Sequence, residues 1–133
     1  MSENSNLEIV QRAYKAFVQG DLPALLNMLT DDVEFIPPKA TKVPWAHPWR
    51  GRHEVERYFG TLAEALEFQA FEADEFIVSR DCVVVLGHER CVIRASGRVV
   101  EAKWAQIIDL RDGLISRHRE YSDSAAWNAG FEN

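Results

Sequence analysis

The stretch Ser96 to Asp123, SGRVVEAKWAQIIDLRDGLISRHREYSD, most constrains how this chain folds. It reads as two long strands joined at Arg111-Asp112-Gly113, since Asp-Gly between alternating segments supplies the positive φ of a tight hairpin turn. Side chains alternate along a strand, so Ala102, Trp104, Gln106, Ile108 and Leu110 share one face of the first strand. On the second strand Ser116, His118, Glu120 and Ser122 share one face, with Ile115, Arg117, Arg119 and Tyr121 on the other. If the Trp104/Gln106 face and the His118/Glu120 face line one cavity, an apolar wall carries a small polar cluster, as a small-molecule site requires.

A chain of 133 residues, 47% of them hydrophobic, fits one domain spanning 1–133 and is too apolar for disorder. The net charge of −6 and the lack of a Lys/Arg-rich run argue against a nucleic-acid partner. The start, Met1-Ser-Glu-Asn-Ser-Asn, is polar, and no apolar run reaches membrane-spanning length, so a cytoplasmic protein without a membrane partner is expected. Cys82 and Cys91 fall in one strand segment, where an extended chain holds them roughly 30 Å apart; they read as unbridged packing residues. Neither metal-ligand spacing nor a Gly-rich phosphate loop occurs, so no metal and no cofactor are expected.

In chain order, Ser5 or Asn6 caps a first helix of about 13–15 residues that ends at Gly20. Its buried stripe is expected at Ile9 or Val10, Ala13, Phe17 and Val18, with Tyr14 at the edge. Asp21 caps a short second helix through Leu22, Leu25, Leu26 and Leu29; Thr30-Asp31-Asp32 breaks it, and Val33 to Ile36 form a strand stopped by Pro37-Pro38. Trp45, His47 and Trp49 then alternate in an irregular loop, where their rings pack on the core or cover a ligand mouth. A third helix runs from His53 to about Leu66, its buried face formed by Val55, Tyr58, Phe59, Leu62 and Leu66. Strands follow at Phe68 to Val78 and Asp81 to Ala95. In the latter, Val83 to Leu86 is apolar on both faces and His88 shares a face with Val84 and Leu86. The tail carries Trp127 and Phe131 at i, i+4 spacing, for a short docked helix or arm. Helices followed by a mostly antiparallel sheet make an α+β arrangement.

This order of elements resembles the SnoaL-like branch of the NTF2-like superfamily, which includes the ketosteroid isomerases. The likeness rests on VQRAYKAFVQGDLPALLNMLTDDVEF, on the helix after Trp49-Arg50-Gly51, and on IIDLRDGLISRHREYSD. It implies a cone-shaped half barrel, a curved sheet wrapped around three helices from the N-terminal half, with a pocket at the open end. It also implies a homodimer through the outer sheet face. Against the ketosteroid isomerase pattern, the first-helix tyrosine falls on Ala13, the general-base aspartate on Pro37 and the oxyanion-hole aspartate on Gln106. Steroid isomerisation by that route is therefore not expected. The polyketide cyclases of the family use a histidine and an aspartate; His118 with Glu120 or Asp123 is similar in kind.

The resulting expectation is a pocket for a small, largely apolar molecule, with cofactor-free isomerisation, cyclisation or dehydration by proton transfer. His118 would be the acid/base, Glu120 its partner, and Gln106 a donor to a developing oxyanion. Tyr14, Trp45, Trp49, Tyr58, Trp104, His88 and Asp123 would hold the ligand. The alternative is a non-catalytic ligand-binding or dimerisation domain of the same fold, with Arg117 to Glu120 as a charge ladder.

Overall fold

The computed structural model describes residues 2–132. Helix α1, Glu3–Gln19, begins where the Ser2 hydroxyl accepts a hydrogen bond from the Ser5 amide. It ends at Gly20, whose φ of +72° places its amide on the Ala16 and Phe17 carbonyls. The cap lies upstream of Ser5 and Asn6, and the buried stripe is Asn6, Val10, Ala13 and Ala16, while Val18 is 65% exposed. Asp21 caps α2, Leu22–Leu26, through the Ala24 amide, with Pro23 in its first turn.

Strand β1, Leu29–Ile36, is longer than the expected Val33–Ile36 because Thr30, Asp31 and Asp32 are extended instead of a breaker. Leu29 and Val33 are fully buried there, so core packing overrides the weak strand preference of the two aspartates. After the loop, β2, Trp49–Arg50, pairs antiparallel with β1, and α3, Gly51–Ala65, buries Val55, Tyr58 and Leu62. Four long strands follow: β3, Leu66–Ser79; β4, Cys82–Ile93; β5, Val99–Arg111; and β6, Leu114–Ser122. A fourth helix, α4, Ser124–Gly130, docks Trp127 at 6% exposure.

The sheet order is β2-β1-β6-β5-β4-β3, antiparallel except where β1 runs parallel to β6. Register shifts between Phe68 and Ala70 and between Ala73 and Glu75 mark bulges in β3, which increase twist and curl the sheet. The sheet is therefore curved and does not close, and the helices pack in its concavity. Asp112 and Gly113 have φ of +54° and +81°, the double positive φ of a two-residue hairpin turn.

One residue shows how tightly the curl is packed. A Cβ at Gly87 would lie 2.3 Å from both the Glu72 carbonyl oxygen and Trp104 Cζ2, so Trp104 lies directly against the β4 backbone. We expect Gly87→Ala to cost about 3 kcal/mol or more in chemical denaturation, because both neighbours are fixed. Gly60→Ala, mid-helix with nothing within 4 Å of its Cβ, should instead gain up to about 1 kcal/mol. Equal effects of the two substitutions would contradict this packing.

Candidate functional site

The concavity holds a cavity of about 100 Å³. It sits within about 890 Å³ of empty space that includes the open mouth, so the smaller volume governs what fits. That suits a compact molecule of roughly one ring. From α1 come Ala13, Tyr14 and Phe17; from α3, Tyr58, Phe59 and Leu62. The loop supplies Pro38, Ala40, Val43 and Trp45, and α4 supplies Trp127. The sheet supplies Phe35, Phe71 and Ile108 together with a polar group: Glu89, Gln106, His118 and Glu120.

Cross-strand pairing assembles most of that group. Gln106 stands opposite Glu120, and Ile108 opposite His118. The Gln106 Nε2 donates to Glu120 Oε1 at 2.5 Å, while the Tyr14 hydroxyl donates to the other end of the same amide, Oε1. Tyr14, Gln106 and Glu120 thus form a chain of hydrogen bonds from α1 to β6. The Tyr14 ring is fixed by stacking on Trp104 at 6.0 Å and 3° between planes. His118 stacks on Phe35 at 4.5 Å and 10°. Ring stacking, and not a hydrogen bond to Glu120, orients that imidazole.

Burial dominates the electrostatics. It pushes the Glu120 carboxyl up to about 7, although the bond from Gln106 pulls the other way. Glu89, 7% exposed, is pushed up to about 8 by burial and then by the like charge of Glu120. Its only side-chain hydrogen bond among the described residues comes from the Cys91 thiol at 3.5 Å. His118 moves the opposite way, to about 4, because burial disfavours the imidazolium. His118 and Glu120 keep part of their surface, and both line the cavity. Burial, with Glu120 and Glu89 nearby, also holds the Tyr58 hydroxyl well above its usual range.

The candidates proposed from sequence separate into two groups. Tyr14, Trp45, Tyr58, Gln106, His118 and Glu120 line the cavity together. Trp104 and Trp49 lie behind it: Trp104 backs Tyr14, and Trp49 packs on Tyr58 at 5.6 Å and donates its Nε1 to the Trp45 carbonyl. His88 and Asp123 lie elsewhere. The inward face of β4 is Val83, Val85, Gly87, Glu89, Cys91 and Ile93, so His88 points outward. Asp123 is spent on capping α4, its carboxylate accepting from the Ala126 amide at 3.0 Å. Arg117 and Arg119 face outward against Glu34 at 3.5 Å and Asp109 at 3.9 Å, so the charge ladder covers only half of its four residues.

Two features escaped the sequence. A register shift at Asp109/Leu110 pairs Leu110 with Ile115, which brings Ile115 into the cavity beside His118 instead of onto the opposite face. Glu89 was hidden because Val83 to Leu86 is apolar on both parities; Cys91 and Ile93, on its own parity, were the available signal. On the outer face Glu72, Asp74 and His88 bring ligating atoms within 4.8 Å of one another, the grouping able to hold a metal. There His88 Nδ1 lies 2.7 Å from Asp74, a bond that raises the imidazole pKa.

This is the NTF2-like cone: a curled sheet around helices, with polar groups at the bottom of an apolar pocket. A family model described as a SnoaL-like domain matches residues 10–118, and the chain belongs to that family. A relative from Mycobacterium tuberculosis, itself uncharacterised, is 30% identical over 128 residues, 95% of each chain. A crystal structure of an NTF2-like protein from Burkholderia xenovorans is 27% identical, covers 99% of both chains and has a TM-score of 0.91. TerC, crystallised with polyporic acid, shares the fold at a TM-score of 0.85 and 23% identity, over 97% of this chain and 99% of TerC.

The two buried acids predict a pH signature of stability. A carboxyl whose folded pKa exceeds its ordinary 4.5 binds its proton more tightly in the fold. Its contribution is complete below pH 4.5 and is lost as pH rises through 7 and 8. His118, lowered from 6.5 to about 4, works the other way between those values, one group against two. The melting temperature should therefore fall from about pH 5 to about pH 9. Glu89→Gln should remove most of that fall, and adding Glu120→Gln should leave only the rise below about pH 6.5 that His118 supplies. Parallel curves for all three proteins would contradict the assignment.

Proposed function

We propose that the cavity binds a small, largely apolar molecule and catalyses cofactor-free proton transfer on it, with Glu120 as the acid/base. The observation that carries this reading is a buried carboxyl, held near neutrality and tethered by Gln106, at the floor of an apolar pocket. A group with its pKa close to the working pH both gives and takes a proton readily. His118, expected to be the base, is assigned the weaker role: a ring at about 4 is neutral at pH 7 but a poor proton acceptor. It contributes a flat apolar wall and a hydrogen-bonding edge. The second Gln106 N–H stabilises charge developing on a ligand oxygen, and the Tyr14 hydroxyl, donating to Gln106 Oε1, holds that amide in place. Isomerisation, cyclisation and dehydration all need these parts and no more.

Proton transfer to and from carbon introduces solvent deuterium. With a panel of small cyclic ketones in D2O, the wild-type protein should accelerate exchange next to the carbonyl. Glu120→Gln should lower that rate by about 10²–10⁴-fold, and His118→Gln by less than about tenfold. Binding of panel members without exchange would reduce the protein to a binding domain. A larger loss in His118→Gln than in Glu120→Gln would return the acid/base role to the histidine.

A further inference from the structure

We propose that the cavity prefers an apolar amine, its ammonium group anchored between Glu89 and Glu120; the proposal rests on the small-molecule reading above and names its ligand class. A carboxylate accepts about four hydrogen bonds. Glu89 receives one long bond from Cys91, and Glu120 receives one from Gln106. No lysine or arginine lines the cavity, so neither acid has a cationic partner. The titratable groups that face the pair are Tyr14 from α1, Tyr58 from α3, Cys91 from β4 and His118 from β6. All four are neutral at physiological pH, and none supplies positive charge. This end of the pocket holds two acids and no positive charge.

An alkylammonium ion brings three N–H donors and one positive charge. An anionic ligand would meet two acids and no cation. A neutral ligand would leave most acceptor sites empty. The rings of Phe35, Tyr58, Phe59 and Phe71 in the wall also suit a cation, through their electron-rich faces. Binding of the ammonium would favour the ionised form of one carboxyl and expel its proton to solvent. That leaves a carboxylate anchor and a second carboxyl free to move a proton on the bound molecule.

Three one-ring probes of matched shape distinguish the possibilities: benzylamine, benzyl alcohol and benzoate, each titrated by calorimetry from about pH 6 to about pH 8.5. Benzylamine should bind at least about tenfold tighter than benzyl alcohol, and benzoate should not bind. Repeating the amine titration near neutral pH in buffers of different ionisation enthalpy should show up to about one proton released per amine bound, and none for the alcohol. Glu89→Gln should erase the amine preference and the proton release; the buffer series on the wild type stands even if that variant fails to fold. Equal or tighter binding of the alcohol would overturn the amine proposal and leave proton transfer on a neutral molecule standing. Benzoate binding, or amine binding without proton release, would also overturn it. If none of the three binds, the amine proposal fails and the small-molecule reading fails with it.

Discussion

The pairing of Gln106 with Glu120 across β5 and β6 is the contact on which the pocket's chemistry depends. It ties a buried acid to the middle strand of the curl, and through the Tyr14 hydroxyl it reaches α1 on the other side of the cavity. A buried carboxyl without a cation is costly unless it stays protonated or finds donors. Here one side-chain amide supplies a donor and burial keeps the proton on. The same interaction therefore holds the helix to the sheet, while burial keeps the proton on Glu120 against the pull of the Gln106 bond.

The curl makes this arrangement possible. Bulges in β3 and the close contact of Trp104 against the Gly87 backbone accompany a curl that turns one face of β4, β5 and β6 toward the cavity. Glu89 and Glu120 sit two strands apart, yet Glu89 feels the charge of Glu120, because the concave face turns both toward one space. On a flat sheet each acid could be solvated separately. In the cone they line one cavity, so the ionisation of one opposes that of the other.

Much of the fold was legible in local pattern. The Asp112-Gly113 turn, the Gly20 cap and the alternation on β5 each follow from a short-range rule, and each is present. The length of β1 was not, since Thr30 to Asp32 look like a breaker until the buried flanks Leu29 and Val33 are known. Within the site, one face of β6 correctly carried His118 and Glu120 inward together. The bulge that swings Ile115 to that side leaves no mark in the residues. Glu89 was missed for a different reason: in a strand apolar on both faces, only the covering elements decide which parity is inside. Burial moves the two groups in opposite directions, because desolvation raises an acid and lowers a histidine in the same pocket.

The central claim is that Glu89 and Glu120 hold their protons far above the ordinary carboxyl range. NMR titration of the protein labelled with ¹³C at the glutamate side-chain carboxyls reads this directly, with Glu89→Gln and Glu120→Gln to assign the two signals. The account predicts two carboxyls that remain protonated through about pH 6 and titrate between about 7 and about 8. Titration of both close to the ordinary value of 4.5 would contradict it.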